Sequence, residues 1–200
     1  MIKNLIFDFG KVLVDYDFDL FFSKIISDKD RLIEFCKILN NQEMAEKMDR
    51  GAMSVEEIIA ELKQNHPEFT EEIQLFADRY TDIVTGEVPG MKALLTKLKK
   101  DGFKLYGLSN WCNKVYQTME EYKDIFGLLD GFIISSDVHL LKPEPEIYQR
   151  IFEKYNLSPS ECVFADDKIE NIVGSENVGM KAIHFKNAKQ YEEELLNIIN

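Results

Sequence analysis

A doubly wound α/β sheet carrying an all-helical insertion is the fold this sequence predicts, and three observations predict it. A short apolar run, Asn4-Leu5-Ile6-Phe7, stops abruptly at Asp8-Phe9-Gly10. From Asp17 to about Thr85, apolar residues recur at three- and four-residue spacing with no strand run between them. After Pro89-Gly90, strand-like and helix-like segments alternate to the end, the pattern of a parallel sheet wrapped on both faces.

Taken in order, the first run is a buried strand. In the helical stretch, Leu32, Phe35, Cys36 and Leu39 share one face, and Ile58, Ile59 and Leu62 share another. Ser54-Val55-Glu56-Glu57 is a capping box that opens the second of these helices, and Gly51 ends the segment before it. Beyond Pro89-Gly90 come a helix (Met91, Leu94, Leu95, Leu98), a strand (103–108), a helix (114–122), a strand (131–135) and a helix (146–155). A strand (162–165), a helix (169–177), a strand (181–185) and a helix (188–199) complete the pattern. The expected division is an α/β core from residues 1–16 and 87–200, with a helical cap from 17–86. Such sheets bind ligands at the carboxyl ends of their strands, where the winding reverses. An insertion leaving within ten residues of Asp8 can cover that edge and exclude water.

A net charge of −12 without a Lys/Arg cluster excludes a nucleic-acid binder of the usual kind. It does not exclude a phosphorylated small molecule, because one lysine, backbone amides and a divalent cation neutralise a phosphate locally. The three cysteines, Cys36, Cys112 and Cys162, show no CxxC spacing and fit a reducing compartment. Cys112 reads as a small packing residue rather than a reactive thiol. The amino-terminal apolar run is too short for a membrane span or signal segment, so a cytoplasmic protein without a membrane partner is expected. Composition fixes no oligomeric state, and a monomer is compatible with it.

Four segments place chemistry at element ends: Asp8 after the first strand, Ser109-Asn110 after the second, Lys142 before Pro143, and Asp166-Asp167 after a later strand. Alone, Asp8 reads equally well as a residue capping a turn. Together, in this order, the segments resemble the motifs of the haloacid dehalogenase superfamily, in particular its small phosphatases with a helical cap inserted after the first motif. Phe7-Asp8-Phe9-Gly10-Lys11-Val12-Leu13 resembles motif one, Leu108-Ser109-Asn110 motif two, and Lys142-Pro143-Glu144-Pro145-Glu146-Ile147-Tyr148 motif three. Val163-Phe164-Ala165-Asp166-Asp167, through Asn171 to Gly179-Met180, resembles motif four.

The resemblance implies a Mg²⁺-dependent phosphomonoester hydrolase for a small phosphorylated metabolite, with Asp8 attacking phosphorus to give an aspartyl-phosphate. It implies Asp8, Asp167 and the main-chain carbonyl of Gly10 as Mg²⁺ ligands, with Asp166 behind them, orienting water or pairing with Lys142. Ser109 and Asn110 would bind the phosphate, and Lys142 would balance charge growing on its oxygens. Asn171 reads either as a support beside Asp166 behind the metal ligands or, in preference, as a helix-surface amide.

One position departs from the pattern. Most phosphatases of this family carry a second aspartate two residues after the nucleophile as proton carrier, and here that residue is Gly10. A positioned acid/base contributes roughly 10²- to 10⁴-fold. The favoured reading is the glycine-variant group that includes sugar phosphatases acting on glucose 1-phosphate. The alternatives are a metal-independent 2-haloacid dehalogenase, disfavoured because Asp166-Asp167 would repel Asp8 without a cation, and a non-catalytic phosphate-binding or interaction module. Asp15, Asp17 and His139 read as turn, capping or structural residues rather than as the missing acid. Met44, Met48, Asp49 and Arg50, with Trp111 as an aromatic wall, are the substrate-facing candidates, and Asp/Arg hydrogen bonding beside an aromatic face favours a sugar phosphate.

Overall fold

The computed structural model describes residues 1–199. The chain opens with β1 (Asn4–Phe7) and β2 (Val14–Tyr16), followed by helices α1 (Phe18–Phe22), α2 (Lys29–Leu39), α3 (Gln42–Asp49), α4 (Val55–Asn65) and α5 (Thr70–Asp78). It continues through β3 (Val84–Glu87), α6 (Met91–Lys100), β4 (Lys104–Ser109), α7 (Val115–Glu121), α8 (Lys123–Phe126), β5 (Gly131–Ile134) and α9 (Ser135–Val138). Then come α10 (Pro145–Tyr155), β6 (Cys162–Asp166), α11 (Ile169–Asn177), β7 (Lys181–His184) and α12 (Ala188–Ile199).

Five strands form one parallel sheet in the order β5-β4-β1-β6-β7. Strand β1 is central and buried along its length, which is why it reads as an unbroken apolar run rather than an alternating one. Its residues still divide by the two-residue period of a strand. Leu5 and Phe7 join a core that runs on into the helices following β2, and Ile6 joins a second core with Ile147, Ile151 and Ile172 on the other face. The winding moves from β1 to β4 and β5 on one side, then to β6 and β7 on the other, so the crevice at the carboxyl end of β1 is the reversal point.

Local signals hold where they were read. Ser54 and Glu57 form the reciprocal capping box of α4, and Gly51 follows α3 with φ of 63°. One expectation is corrected. The stretch up to Thr85 is not free of strands, because Val84–Glu87 pairs antiparallel with Val14–Tyr16 as a two-stranded ribbon. The helices from Phe18 to Asp78 therefore leave and return through a paired stem. Neither strand has enough residues to display a period, and the pairing joins segments about seventy positions apart, with a register shift between Asp15 and Tyr16.

Candidate active site

Backbone pairing sets the position of Asp8. Its N–H donates to the Ala165 carbonyl at 2.9 Å, extending the ladder between β1 and β6 by one residue, so the carboxylate stands at the sheet's edge. The chain then turns sharply, with Leu13 and Val14 N–H groups both donating to the Phe9 carbonyl. Lys11, at φ of 61°, crosses the turn to Asp15 Oδ1 and the Tyr16 carbonyl, each at 2.5 Å. Asp15 is thereby committed to Lys11, and Asp17 caps α1 by accepting from the Leu20 N–H at 2.8 Å.

Lys142 reaches the same point from the loop before α10. Its ammonium lies 2.9 Å from Asp8 Oδ1 and 2.7 Å from Asp166 Oδ2, with its side chain 1% exposed. Burial alone would push this lysine down, but the carboxylates of Asp166 and Asp8 hold it above its ordinary value. For Asp8, burial dominates and raises the carboxyl to about 6, against the pull of Lys142. Asp166 adds to that rise, while hydrogen bonds from Lys142 and the buried Ser109 hydroxyl oppose it.

Asp166 is fully engaged. Its Oδ1 accepts from the Lys168 N–H at 2.9 Å, its Oδ2 from Lys142, and both oxygens accept from Asn171 Nδ2 at 3.0 Å. Asn171 is therefore no surface amide. It is buried on the inner face of α11 and holds Asp166 in place, so the supporting role that the sequence ranked second is the one the packing of α11 on β6 produces. Asn110 has a similar supporting part. Its side chain accepts from the Lys142 N–H at 2.8 Å and donates to the Lys142 carbonyl at 3.0 Å, clamping the lysine's backbone. That engagement uses the Asn110 oxygen and one of its two amide hydrogens, and Asn110 still lines the cavity, while Ser109 stays beside Asp8.

Carboxylate oxygens of Asp8, Asp166 and Asp167 all lie within 4.8 Å of one another. Asp167 makes no ion pair among the described residues, and burial followed by the charge of Asp166 raises its carboxyl. Three carboxylates share one buried ammonium, with the exposed Lys168 at the cavity edge beside Asp167, and all the donors on offer are hard oxygens. Such a set fits a divalent cation of the Mg²⁺ type.

A cavity of about 270 Å³ opens between this cluster and the helical layer. Asp8, Gly10, Ser109, Lys142 and Asp167 line its floor. Leu39, Met44, Met48, Asp49 and Phe76 come down from the helices, with Tyr16 and Trp111 at the side. Trp111 is both wall and core, since its indole N–H donates to the Tyr80 hydroxyl at 2.8 Å and its ring packs on Tyr16. Arg50 is not in the cavity. It forms an ion pair with Glu144 and donates to the His139 carbonyl at 3.2 Å, while His139 Nδ1 lies 2.9 Å from the Arg50 carbonyl. These contacts bind the end of α3 to the loop that carries Lys142.

The family model of the haloacid dehalogenase-like hydrolases matches residues 2–179. The chain belongs to that family. Among the relatives of this hydrolase, a D-ribitol-5-phosphate phosphatase of Bacteroides thetaiotaomicron is 28% identical, the alignment covering 100% of both chains. The sesquiterpene phosphatase astK of Aspergillus oryzae is 25% identical over 98% of this chain and 96% of its own. In fold, the hydrolase superposes on a family enzyme of Bacteroides thetaiotaomicron in complex with magnesium and inorganic phosphate. The TM-score is 0.74 at 20% identity, over 94% of this chain and 96% of that one. No helix among the described residues is long and apolar enough to cross a membrane.

Proposed function

We propose that the protein hydrolyses the phosphate monoester of a small metabolite through an aspartyl-phosphate on Asp8, with Mg²⁺ bound by Asp8, Asp167 and the Gly10 carbonyl. One observation carries this reading: three clustered carboxylates against a single buried lysine, with Asp167 left unpaired. A dianionic phosphate would be repelled by this cluster, and a Mg²⁺ held by Asp8, Asp167 and the Gly10 carbonyl would offset that repulsion and help orient the phosphate. The same cluster disfavours metal-independent attack on carbon, where no cation would offset the repulsion.

Within this reading each side chain has a part that follows from its contacts. Asp8, on the cavity floor, is the nucleophile. Lys142, fixed between Asp8 and Asp166 and clamped by Asn110, places positive charge where the transferring group's equatorial oxygens gather negative charge. The Ser109 hydroxyl and adjacent N–H groups donate to the remaining phosphate oxygens. Asp166 holds Lys142 and is itself held by Asn171. The helices from Phe18 to Asp78 act as a cap that keeps water from the cavity.

The relatives, a D-ribitol-5-phosphate phosphatase and a sesquiterpene phosphatase, frame the range for this chain. Of the two cap residues that favoured a sugar, Asp49 faces the cavity and Arg50 does not, and Leu39, Met44, Met48 and Phe76 make the roof largely apolar. A compact metabolite with at least one apolar face fits this lining better than a fully hydroxylated sugar. The three buried, unpaired cysteines suit a cytoplasmic protein.

The test is turnover of a panel of sugar, nucleotide, acyl and prenyl phosphates, with p-nitrophenyl phosphate and 2-chloropropionate, in Mg²⁺ or EDTA. The expected result is phosphate release that needs Mg²⁺ and disappears in Asp8→Asn. Halide release insensitive to EDTA, or binding of Mg²⁺ and phosphate without any turnover, would overturn it.

A further inference from the structure

The glycine two residues after the nucleophile leaves the reaction without a proton carrier, and the structure shows why none fits there. A Cβ on Gly10 would lie 2.9 Å from Tyr16 Cε1 and 3.9 Å from Trp111 Cζ3. Tyr16 is held by edge contacts with Phe18 and Trp111, at centroid distances of 5.9 and 6.2 Å, and Lys11 sits over its ring. The space an acid would take at position 10 is filled by an aromatic ring.

In an in-line attack by Asp8, the leaving oxygen stands on the far side of phosphorus, so it points from the sheet edge toward the helical layer. Among the described residues lining the cavity, that layer contributes one carboxyl, Asp49, the last residue of α3. Its backbone is pinned to the sheet side of the molecule. The Asp49 carbonyl accepts from the Ser135 hydroxyl, whose oxygen accepts from the Trp111 N–H at 2.9 Å. Two residues on, a Cβ at Gly51 would meet the Ser136 carbonyl oxygen at 2.7 Å, so α3 and α9 touch backbone to backbone there. These contacts tie the end of α3, and Asp49 with it, to the segment that follows β5. Of the other proton-bearing groups around it, Lys168 is exposed and comes from the sheet edge next to Asp167 rather than from the helical layer, and the aromatic and thiol groups are poorer carriers. Tyr16, Tyr80 and Cys112 all sit above their ordinary values through burial, and hold their protons too tightly to act as bases near neutrality.

We propose that the Asp49 carboxyl, delivered by the helical layer, protonates the leaving oxygen and then deprotonates the water that attacks the aspartyl-phosphate. This rests on the phosphatase reading above. In the first half, the Asp8 oxygen bonds to phosphorus as the ester P–O bond breaks, and the Asp49 proton passes to the departing alkoxide, which leaves as the alcohol. In the second, water occupies the vacated position and gives a proton to the Asp49 carboxylate as its oxygen bonds to phosphorus. The Asp8–phosphorus bond breaks, and inorganic phosphate and the starting protonation state are restored. Burial raises Asp49 to about 7, with Asp8 adding to the rise and Lys168, Lys142 and the Cys112 N–H opposing it. Both protonation states are accordingly accessible at neutral pH.

The discriminating experiment compares wild type, Asp49→Asn and Asp49→Glu in Mg²⁺, on an alkyl phosphate and on p-nitrophenyl phosphate, with rapid mixing. An alkoxide needs its proton and nitrophenolate does not. Asp49→Asn is expected to lose about 10²- to 10⁴-fold in kcat/KM on the alkyl ester and less than about 10-fold on the nitrophenyl ester. It should also release a burst of nitrophenol near one equivalent per enzyme, because water attack is now slow. Asp49→Glu should recover part of the alkyl-ester rate. Equal losses on both esters without a burst, or no loss on the alkyl ester, would overturn the role of Asp49 while leaving the phosphatase reading intact. A wild type inactive on every ester, or an Asp8→Asn variant as active as wild type, would overturn both.

Discussion

Replacing Lys142 with methionine tests whether the site is the buried charge cluster described. Lys142 has a 1% exposed side chain between carboxylates that are 12% and 0% exposed, at 2.9 and 2.7 Å. Methionine keeps most of the volume and removes the charge, leaving Asp8 and Asp166 facing one another without a counter-ion. Breaking a buried pair in this way costs about 3–5 kcal/mol, because the stranded charge has lost its solvation and its partner. Screening is weak at this depth, so the surface discount does not apply. For a chain of 200 residues, each kcal/mol moves Tm by roughly 2–4 °C, which puts the expected loss at about 6–20 °C. The assay is urea unfolding at pH 7.5 in EDTA, following the midpoint at constant slope. Adding Asp166→Leu to Lys142→Met should recover part of the loss by removing one of the two stranded carboxylates, with an interaction energy of about 0.5–3 kcal/mol in the cycle. A Lys142→Met protein within about 0.5 kcal/mol of wild type, or a strictly additive double variant, would refute the reasoning.

Three further outcomes are expected. Gly10→Asp should not restore an acid but cost about 1–3 kcal/mol through overpacking against Tyr16, and Tyr16→Ala in the same chain should relieve it, read from urea midpoints. The folded-state value of Asp49 lies above that of the unfolded chain, so its contribution to stability is complete below the unfolded value near 4 and is lost as pH rises through about 7. Wild type measured against Asp49→Asn in EDTA should therefore lose roughly 2 kcal/mol between pH 5 and 8, somewhat less where water reaches this half-buried group. Arg50→Ala breaks a partly exposed ion pair with Glu144, so stability should fall by only about 0.2–1 kcal/mol. Amide exchange at the end of α3 should nonetheless quicken as its tie to the His139 loop is lost.

Much of this molecule is legible in the sequence because its signals are local. Asn4-Leu5-Ile6-Phe7 reads as a central parallel strand because burial on both faces removes any need to alternate. The ends of α4 and α10 are written in Ser54-Glu57 and in Pro145. Asp8, Ser109, Lys142 and Asp166-Asp167 are recognisable because each stands where an apolar run or a loop ends, and the fold gathers them at one edge. What sequence could not supply depends on packing between distant segments. The ribbon of β2 and β3 is too short to show a period. For Asn171 the sequence leaves a surface amide and a support for Asp166 both open, and only the packing of α11 on β6 chooses the second. Asn110 pairs with a backbone thirty-two residues away, so its oxygen and one amide hydrogen serve Lys142. Asp49 and Arg50 are neighbours in sequence, and only the fold sends one into the cavity and the other to Glu144.

The central claim is that Asp8 becomes covalently phosphorylated, and acid quench during turnover tests it most directly. Enzyme mixed with Mg²⁺ and p-nitrophenyl phosphate, stopped in acid within milliseconds and digested, should yield the peptide containing Asp8 heavier by one phosphoryl group. Borohydride should reduce that acyl phosphate to homoserine at position 8, and the label should be absent with EDTA or in Asp8→Asn. Turnover with no phosphorylated peptide in either wild type or the slowed Asp49→Asn variant, or a label on another residue, would contradict the account.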